Sequence, residues 1–326
     1  MSDAATLSVE RVADGRERIL TELRKVIVGQ DEILEQVLIA LFTGGHCLIT
    51  GVPGLAKTLL IKTLADILDL DFKRIQFTPD LMPSDITGTE ILDEEQGVRR
   101  LRFVKGPIFA QIILADEINR TPPKTQAALL EAMQEAQVTI EGQTFPLEQP
   151  FVVIATQNPI EMEGTYPLPE AQLDRFLLRV GIGYPGPEAE REILKRRRER
   201  RTDAAAVPTI VTRAELLAMQ GALEDIFVSE ALERYIVALA QATRVDPRVT
   251  LGASPRGSLA LLKLARAEAA IRGRDFVLPD DVKAVAVAAL AHRLVLRPEL
   301  WVSSTTPRHV VEGVLREVPA PAGESA

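Results

Sequence analysis

The chain has 326 residues, 46% of them hydrophobic, which at roughly 150 residues per domain is enough for about two domains with real cores. Asp plus Glu (46) exceed Lys plus Arg (38), giving a formal charge of −8 and disfavouring wholesale nucleic-acid coating, because phosphate binding needs cationic surface. The single cysteine, Cys47, excludes an intramolecular disulfide framework, and one thiol with three scattered histidines argues against a zinc cluster.

Met1 to Gly15 mixes Asp3, Glu10, Arg11 and Asp14 with short apolar pieces, without the cationic start and apolar segment of a signal peptide. No apolar run approaches the roughly 18 residues needed to cross a bilayer, so no membrane insertion and a reducing, cytoplasmic setting are expected. Helical spacing of Val12, Ile19, Leu20 and Leu23 predicts a helix over Val9 to Leu23, and another follows from Asp31 to Phe42. Between them Val28-Gly29-Gln30 is a turn signal. His46 to Thr50 reads as a short buried strand, followed by a glycine-rich turn and a helix from Thr58 to Leu68.

Ile75 to Thr78, Ile112 to Ala115, Phe151 to Thr156 and Leu177 to Ile182 repeat the pattern of short, apolar strands buried on both faces. Strands alternating with helices predict an α/β fold with a parallel sheet. Two hairpins interrupt it: Ile91 to Val104, turning at Asp93 to Gly97, and Val138 to Leu147, turning at Glu141-Gly142-Gln143 after a helix from Pro122 to Ala136. Tyr184-Pro185-Gly186-Pro187 marks a boundary, which divides the chain into an α/β part, 1–184, and a helical part, 185–326. Helices are expected at Glu188 to Arg201, Arg213 to Leu223, Ser229 to Thr243, Ser254 to Ile271 and Pro279 to Leu294, with a frayed tail from Pro319 to Ala326.

Gly51-Val52-Pro53-Gly54-Leu55-Ala56-Lys57-Thr58, with Leu59 following, lies between a strand and a helix, where backbone N–H groups and a helix N-terminus form a concave anion site. Lys57 is placed to reach β- and γ-phosphates and the Thr58 hydroxyl to coordinate Mg2+. Ala56 stands where the strict pattern has glycine, which a methyl group tolerates if that residue has already turned helical. Ile112 to Ala115 ends in Asp116-Glu117, neighbours that point in different directions from a strand end. Asp116 is expected to hold hydrated Mg2+ and Glu117 to polarise the attacking water. Asn158, just past another buried strand, is placed to hydrogen-bond that water or the γ-phosphate.

In this order and spacing the motifs resemble the AAA+ ATPases, and among them the MoxR group of the helix-insert branch, over nearly the whole chain. Gly51 to Thr58 resembles the Walker A loop, Asp116-Glu117 Walker B and Asn158 sensor 1. Val28-Gly29-Gln30 is similar to the segment packed near adenine. Pro167 to Phe176 is a string particular to the group, and Gly252 to Gly257 resembles the sensor 2 segment opening a lid helix. The resemblance implies a P-loop NTPase core with a helical lid, ATP and Mg2+ as ligands, and two arginine roles. Arg175 would be the finger that reaches a neighbouring subunit's γ-phosphate, worth roughly 10³ to 10⁵ in rate, or about 4 to 7 kcal/mol of barrier. Arg256 would fold over the nucleotide of its own subunit. It further implies a ring of like chains, a homohexamer, driving chaperone-like remodelling, maturation or metal or cofactor insertion in a client protein, alongside a partner carrying a von Willebrand factor A domain.

Two other readings of the same core are a DNA-acting helicase or loader and a slow nucleotide-gated scaffold. The first hairpin carries Arg99, Arg100 and Arg102, but the second has no aromatic ladder to stack on bases. Lys195 to Arg201 is a basic run that reads as a solvated or subunit-facing helix surface. Cys47 reads as core, and Phe276 and Trp301 as lid packing.

Overall fold

A computed structural model describes residues 3–95, 98–140, 142–159, 164–202, 205–300 and 303–321. Helices α1 (Asp3–Val26) and α2 (Asp31–Phe42) lead into β1 (Cys47–Thr50), α3 (Lys57–Ile67), β2 (Phe72–Gln76) and a short α4 (Pro83–Thr87). A hairpin of β3 (Gly88–Glu95) and β4 (Val98–Lys105) precedes β5 (Ile112–Asp116) and α5 (Pro123–Glu135). A second hairpin, β6 (Gln137–Ile140) and β7 (Gln143–Pro146), is followed by β8 (Val152–Gln157), a single-turn α6 (Glu170–Leu173) and β9 (Leu178–Gly181). Thereafter come α7 (Pro187–Arg200), α8 (Arg213–Ala222), α9 (Glu230–Val245), β10 (Val249–Leu251), α10 (Pro255–Ile271), α11 (Pro279–Leu290), β11 (Val295–Leu296) and α12 (Pro307–Glu317).

The main sheet has the order β2-β5-β8-β1-β9, and each neighbouring pair is parallel. Alternate residues of its central strands enter opposite cores, as a period of two requires. Leu48, Ile113, Ala115, Val153 and Ala155 pack towards Leu129, Leu130 and Met133 of α5. Cys47, Ile49, Ile112, Leu114, Val152 and Ile154 face the other way, into a core shared by α1, α2, α3 and the helices after Pro187. Cys47 is fully buried, as core packing predicts, and burial pushes its thiol pKa up.

Several elements differ from expectation. β2 begins at Phe72 rather than Ile75 and stops before Thr78. It is an edge strand paired only with β5, and its Lys73 and Arg74 are exposed, so no apolar run marks its start. α12 was not anticipated, although Val310, Val311 and Val314 are buried along it and Thr306 caps it. α11 stops at Leu290, and residues Ala291–Arg293 form a 3₁₀ turn. Phe276 remains 41% exposed, with the Arg274 guanidinium 5.9 Å from its ring centre. Trp301, Gln96 and Gly97, Glu141, and residues 322–326 lie outside the described residues.

The two hairpins meet through three half-buried rings. Phe103 of β4 stacks on Phe145 of β7 at 4.7 Å, and Phe109 meets both edge-on at 5.8 and 6.3 Å. The basic run occupies the end of α7, a helix with no buried residue. Arg196 docks it by donating to the Arg24 and Lys25 carbonyls at the C-terminus of α1, at 2.6 and 3.1 Å, the end where a cation is favoured. Among the described residues no helix is long and apolar enough to cross a membrane.

His46 precedes β1 and joins two elements. Its Nδ1 accepts the Val153 N–H at 3.0 Å, which leaves the proton on Nε2 to donate to the Met133 carbonyl at 3.0 Å. Burial lowers its pKa to about 4, the Met133 bond opposing. His292, equally buried, is also held well below its ordinary value. A neutral imidazole in the fold, against a pKa near 6.5 in the unfolded chain, contributes stability present above pH 6.5 and lost as pH falls towards 4. At pH 5 the unfolding free energy should therefore be lower than at pH 7.5 by roughly 2 kcal/mol from His46 alone. Urea unfolding at the two pH values measures this, and an unchanged midpoint would refute it.

Candidate active site

Parallel register brings the C-terminal ends of β1, β8 and β5 side by side, with Thr50 opposite Gln157 and Ala115 opposite Ala155. Such an edge is where open α/β sheets form their ligand crevice. The loop from Gly51 to Ala56 leaves β1 here and enters α3. Gly51 is fixed by packing, since a Cβ there would stand 2.1 Å from Ile182 Cγ2. Pro53 and Gly54 are exposed, Gly54 with φ +85° and open space where a Cβ would point, while Leu55 is buried beneath the loop. Ala56, the residue before the helix, has φ 56° and ψ 22°. It is left-handed, which corrects the expectation that the methyl is accommodated by helical geometry, and a non-glycine residue there costs roughly 1 to 2 kcal/mol. Thr58 is half-buried and Leu59 37% exposed on the first turn of α3.

Lys57 is buried, and its Nζ donates to the Gly51 carbonyl of its own loop at 2.8 Å. Burial lowers the ammonium pKa, while Asp116 and Glu117 pull it up. Asp116 ends β5. Its Oδ1 accepts the Thr156 hydroxyl at 2.6 Å, and its Oδ2 accepts Arg74 Nε and Nη2 at 3.0 and 2.6 Å. Glu117 turns sharply away, at φ 59° and ψ 49°, a strained backbone of the sort found at functional sites. Its Oε2 meets Gln76 Nε2 at 3.0 Å and Arg120 Nε at 3.1 Å. The Thr156 hydroxyl, fully buried, also accepts the Glu117 N–H at 2.9 Å. One hydroxyl from β8 thus fixes both the first carboxylate and the backbone of the second. Thr156, Arg74 and Gln76 were not singled out in the sequence. Their signal was available only as pairing: β2 and β8 flank β5, and Gln76 is in register with Asp116.

Asn158 follows β8 and is buried. Val28-Gly29-Gln30 sits beside the loop: Gln30 Nε2 approaches the Leu55 carbonyl at 3.4 Å, and Gly29, at φ +72°, abuts Ala189 of α7. Arg256 opens α10 with its side chain half exposed and Nη1 4.0 Å from Asp174 Oδ2. Arg175 lies elsewhere. Its Nη1 donates to the Leu130 carbonyl of α5, and it borders a cavity of about 240 Å³ lined also by Glu131, Gln134 and Glu135.

The residues present fit a magnesium nucleotide. Gln30 Oε1 is buried without a partner among the described residues, an acceptor left for a base. The exposed glycine turn and the first N–H groups of α3 suit phosphate. Thr58 and Asp116 supply hard oxygen donors of the kind Mg2+ takes in small number, the rest of its shell being water and phosphate.

A model for the ATPase family associated with various cellular activities matches residues 46–178, and one for the AAA lid domain matches residues 241–313. The chain is 47% identical to the chaperone MoxR1 of Mycobacterium tuberculosis, over 94% of this chain and 82% of that protein. The protein MoxR of Methylorubrum extorquens is 31% identical over 94% and 96%. A crystal structure of a candidate ATPase from Cytophaga hutchinsonii superposes with a TM-score of 0.89 at 44% identity, covering 96% of this chain and 98% of that one. The chain belongs to the MoxR group of AAA+ ATPases. As a MoxR-type protein it is a chaperone-like ATPase with a parallel-sheet core and a helical lid.

Two outcomes follow for this MoxR-type site. Ala56→Gly relieves the left-handed strain and should raise the unfolding free energy by about 1 kcal/mol; a destabilised variant would contradict the loop geometry. Thr156→Val removes the shared hydroxyl and should lower single-turnover hydrolysis about 10- to 100-fold through misplaced carboxylates, with Thr156→Ser keeping most of the rate. Equal rates for valine and wild type would dismiss the role of that hydroxyl.

Proposed function

We propose that this MoxR-group ATPase works as a ring, a homohexamer, whose Mg-dependent hydrolysis of ATP remodels or matures a client protein, including insertion of a metal or cofactor. The observation that carries the shared-site part is the place of Arg175. Its hydrogen bond runs to Leu130 of α5 beside an open cavity, not to Lys57, Asp116 or Glu117. A half-buried cation at the edge of a cavity, away from its own subunit's loop, suits a nucleotide held by the adjacent subunit. The reading takes residues 1–184 as the nucleotide-binding core and 185–326 as the lid.

Each side chain then has one task. Lys57 exchanges the Gly51 carbonyl for β- and γ-phosphate oxygens. Thr58 and Asp116 would hold Mg2+, which when bound neutralises phosphate charge. Glu117 orients a water and takes its proton as the water oxygen bonds to the γ-phosphorus and the bond to the ADP oxygen breaks. Asn158 holds the water or the γ-phosphate in line. Val28, Gly29 and Gln30 pack at the base, and Arg256 closes from the lid over the phosphates. The neighbour's Arg175 stabilises charge on the transferring phosphoryl group. Release of phosphate moves the lid and, through the core, the paired hairpins that touch the client. A partner with a von Willebrand factor A domain and a cytoplasmic location, where the unpaired Cys47 stays reduced, complete the reading. The helicase reading is weakened by the rings: Phe103 and Phe145 stack on each other instead of standing free for bases.

The test mixes a Lys57→Ala chain with an Arg175→Ala chain, each inactive alone. Co-assembly should restore about a quarter of wild-type turnover, the share of head-to-tail interfaces that pair an intact cradle with an intact finger. No recovery in verified mixed assemblies sinks the shared site. A Glu117→Gln form loaded with ATP should retain a client protein in a pull-down; capture of nucleic acid, with salt-sensitive stimulation by single-stranded DNA, favours the helicase reading instead.

A further inference from the structure

The backbone flanking Arg175, joined to the core through the Leu177 N–H and the His46 carbonyl at 2.8 Å, is also gripped by one side chain of the lid. Arg293, in the 3₁₀ turn after α11, has a side chain only 3% exposed. Its Nε donates to Asp174 Oδ1 at 2.8 Å, its Nη2 to the Phe176 carbonyl at 2.7 Å and to the Asp174 carbonyl at 3.4 Å, and its Nη1 to the Leu177 carbonyl at 3.2 Å and to the Ala289 carbonyl. His292 adds a bond from Nε2 to the Phe176 carbonyl at 3.1 Å, and Ser254, the cap of α10, donates to Asp174 Oδ2 at 2.9 Å. All of these contacts except that to Ala289, which ties Arg293 back to α11, fall on residues 174, 176 and 177. Residue 175 lies between them, its own side chain tied to Leu130 and its Nε buried without a partner.

We propose that Arg293 is a positioning residue for Arg175, clamping the backbone on both sides of it to the lid and so setting where its guanidinium is presented to the neighbouring subunit. A buried guanidinium loses its hydration and is tolerated only when its fork of donors is matched. Here all but one of the matching acceptors lie on one four-residue stretch of the core, so that stretch is tied to the lid as well as to the sheet. The clamp joins the stretch matched to the AAA core, which includes residues 174–177, to that matched to the lid, which includes Arg293. Asp174 is also the carboxylate 4.0 Å from Arg256. A nucleotide that draws Arg256 away changes the load on the clamp, and the change reaches Arg175 across a single residue. Occupancy of one subunit is thereby communicated to the site of the next.

The inference rests on the shared-site reading above, and the same mixing assay separates the two. The Lys57→Ala chain serves only as finger donor and the Arg175→Ala chain only as cradle. Placing Arg293→Gln in the donor should lower the restored turnover at least about tenfold, whereas placing it in the cradle chain should change it by less than about threefold. Asp174→Asn, which removes the charged acceptor while keeping its shape, should show the same asymmetry. Binding of a fluorescent ATP analogue to the cradle chain, unchanged within about threefold, shows that the lid still closes on nucleotide. Equal losses in the two placements, for both substitutions, or no loss in the donor, overturn the clamp while leaving the shared site standing. Failure of the unmodified pair to recover any activity overturns the shared site, and the clamp with it.

Discussion

The parallel register of β1, β8 and β5 is the constraint on which the site depends. It delivers the glycine loop, Thr156 and the Asp116-Glu117 pair to one edge of the sheet without any of them being near another in sequence. Given that edge, local chemistry does the rest. A hydroxyl from one strand and an arginine and a glutamine from another occupy the carboxylate oxygens, so the acids are oriented before any nucleotide arrives. Of the five left-handed non-glycine residues among those described, two, Ala56 and Glu117, lie at this edge of the sheet.

The order of strands and helices was legible because the central strands are apolar on both faces and each is followed by a clear turn. Asp116, Glu117, Lys57 and Thr58 were legible as neighbours because a strand end and a helix start meet at one edge of the sheet, where both carboxylates act on Lys57. Arg74, Gln76, Thr156 and Arg293 were not, since nothing in their own neighbourhoods distinguishes them. Each matters through a partner at least 39 positions away, Thr156 from Glu117 being the least distant and Arg293 from Asp174, at 119, the most. β2 was misplaced for a related reason: an edge strand need not be apolar. Ala56 was recognised as unusual, but the sign of its φ could not be read from residue type.

Lid and core are joined less by a flexible link than by a shared interior. Residues of α1 and α2 lie in the same apolar cluster as α8, α9, α10 and α11, and the polar joint at Asp174 sits at its rim. Nonpolar packing of this kind resists sliding, while the charged joint offers discrete alternatives, with Arg293, Ser254 and Arg256 all close to a single carboxylate. Movement of the lid is then expected to be a switch between a few arrangements rather than a continuous bend.

The stacked rings of Phe103 and Phe145, with Phe109 against both, weld two insertions that leave the core 49 residues apart, at Gly88 and Gln137. Either hairpin alone would be a narrow ribbon, free to twist about its base. Joined, they make a two-legged strut anchored at separate roots, stiff against torsion and able to transmit thrust. The leucines at positions 92 and 101, paired across the first ribbon and largely exposed, give that strut an apolar face.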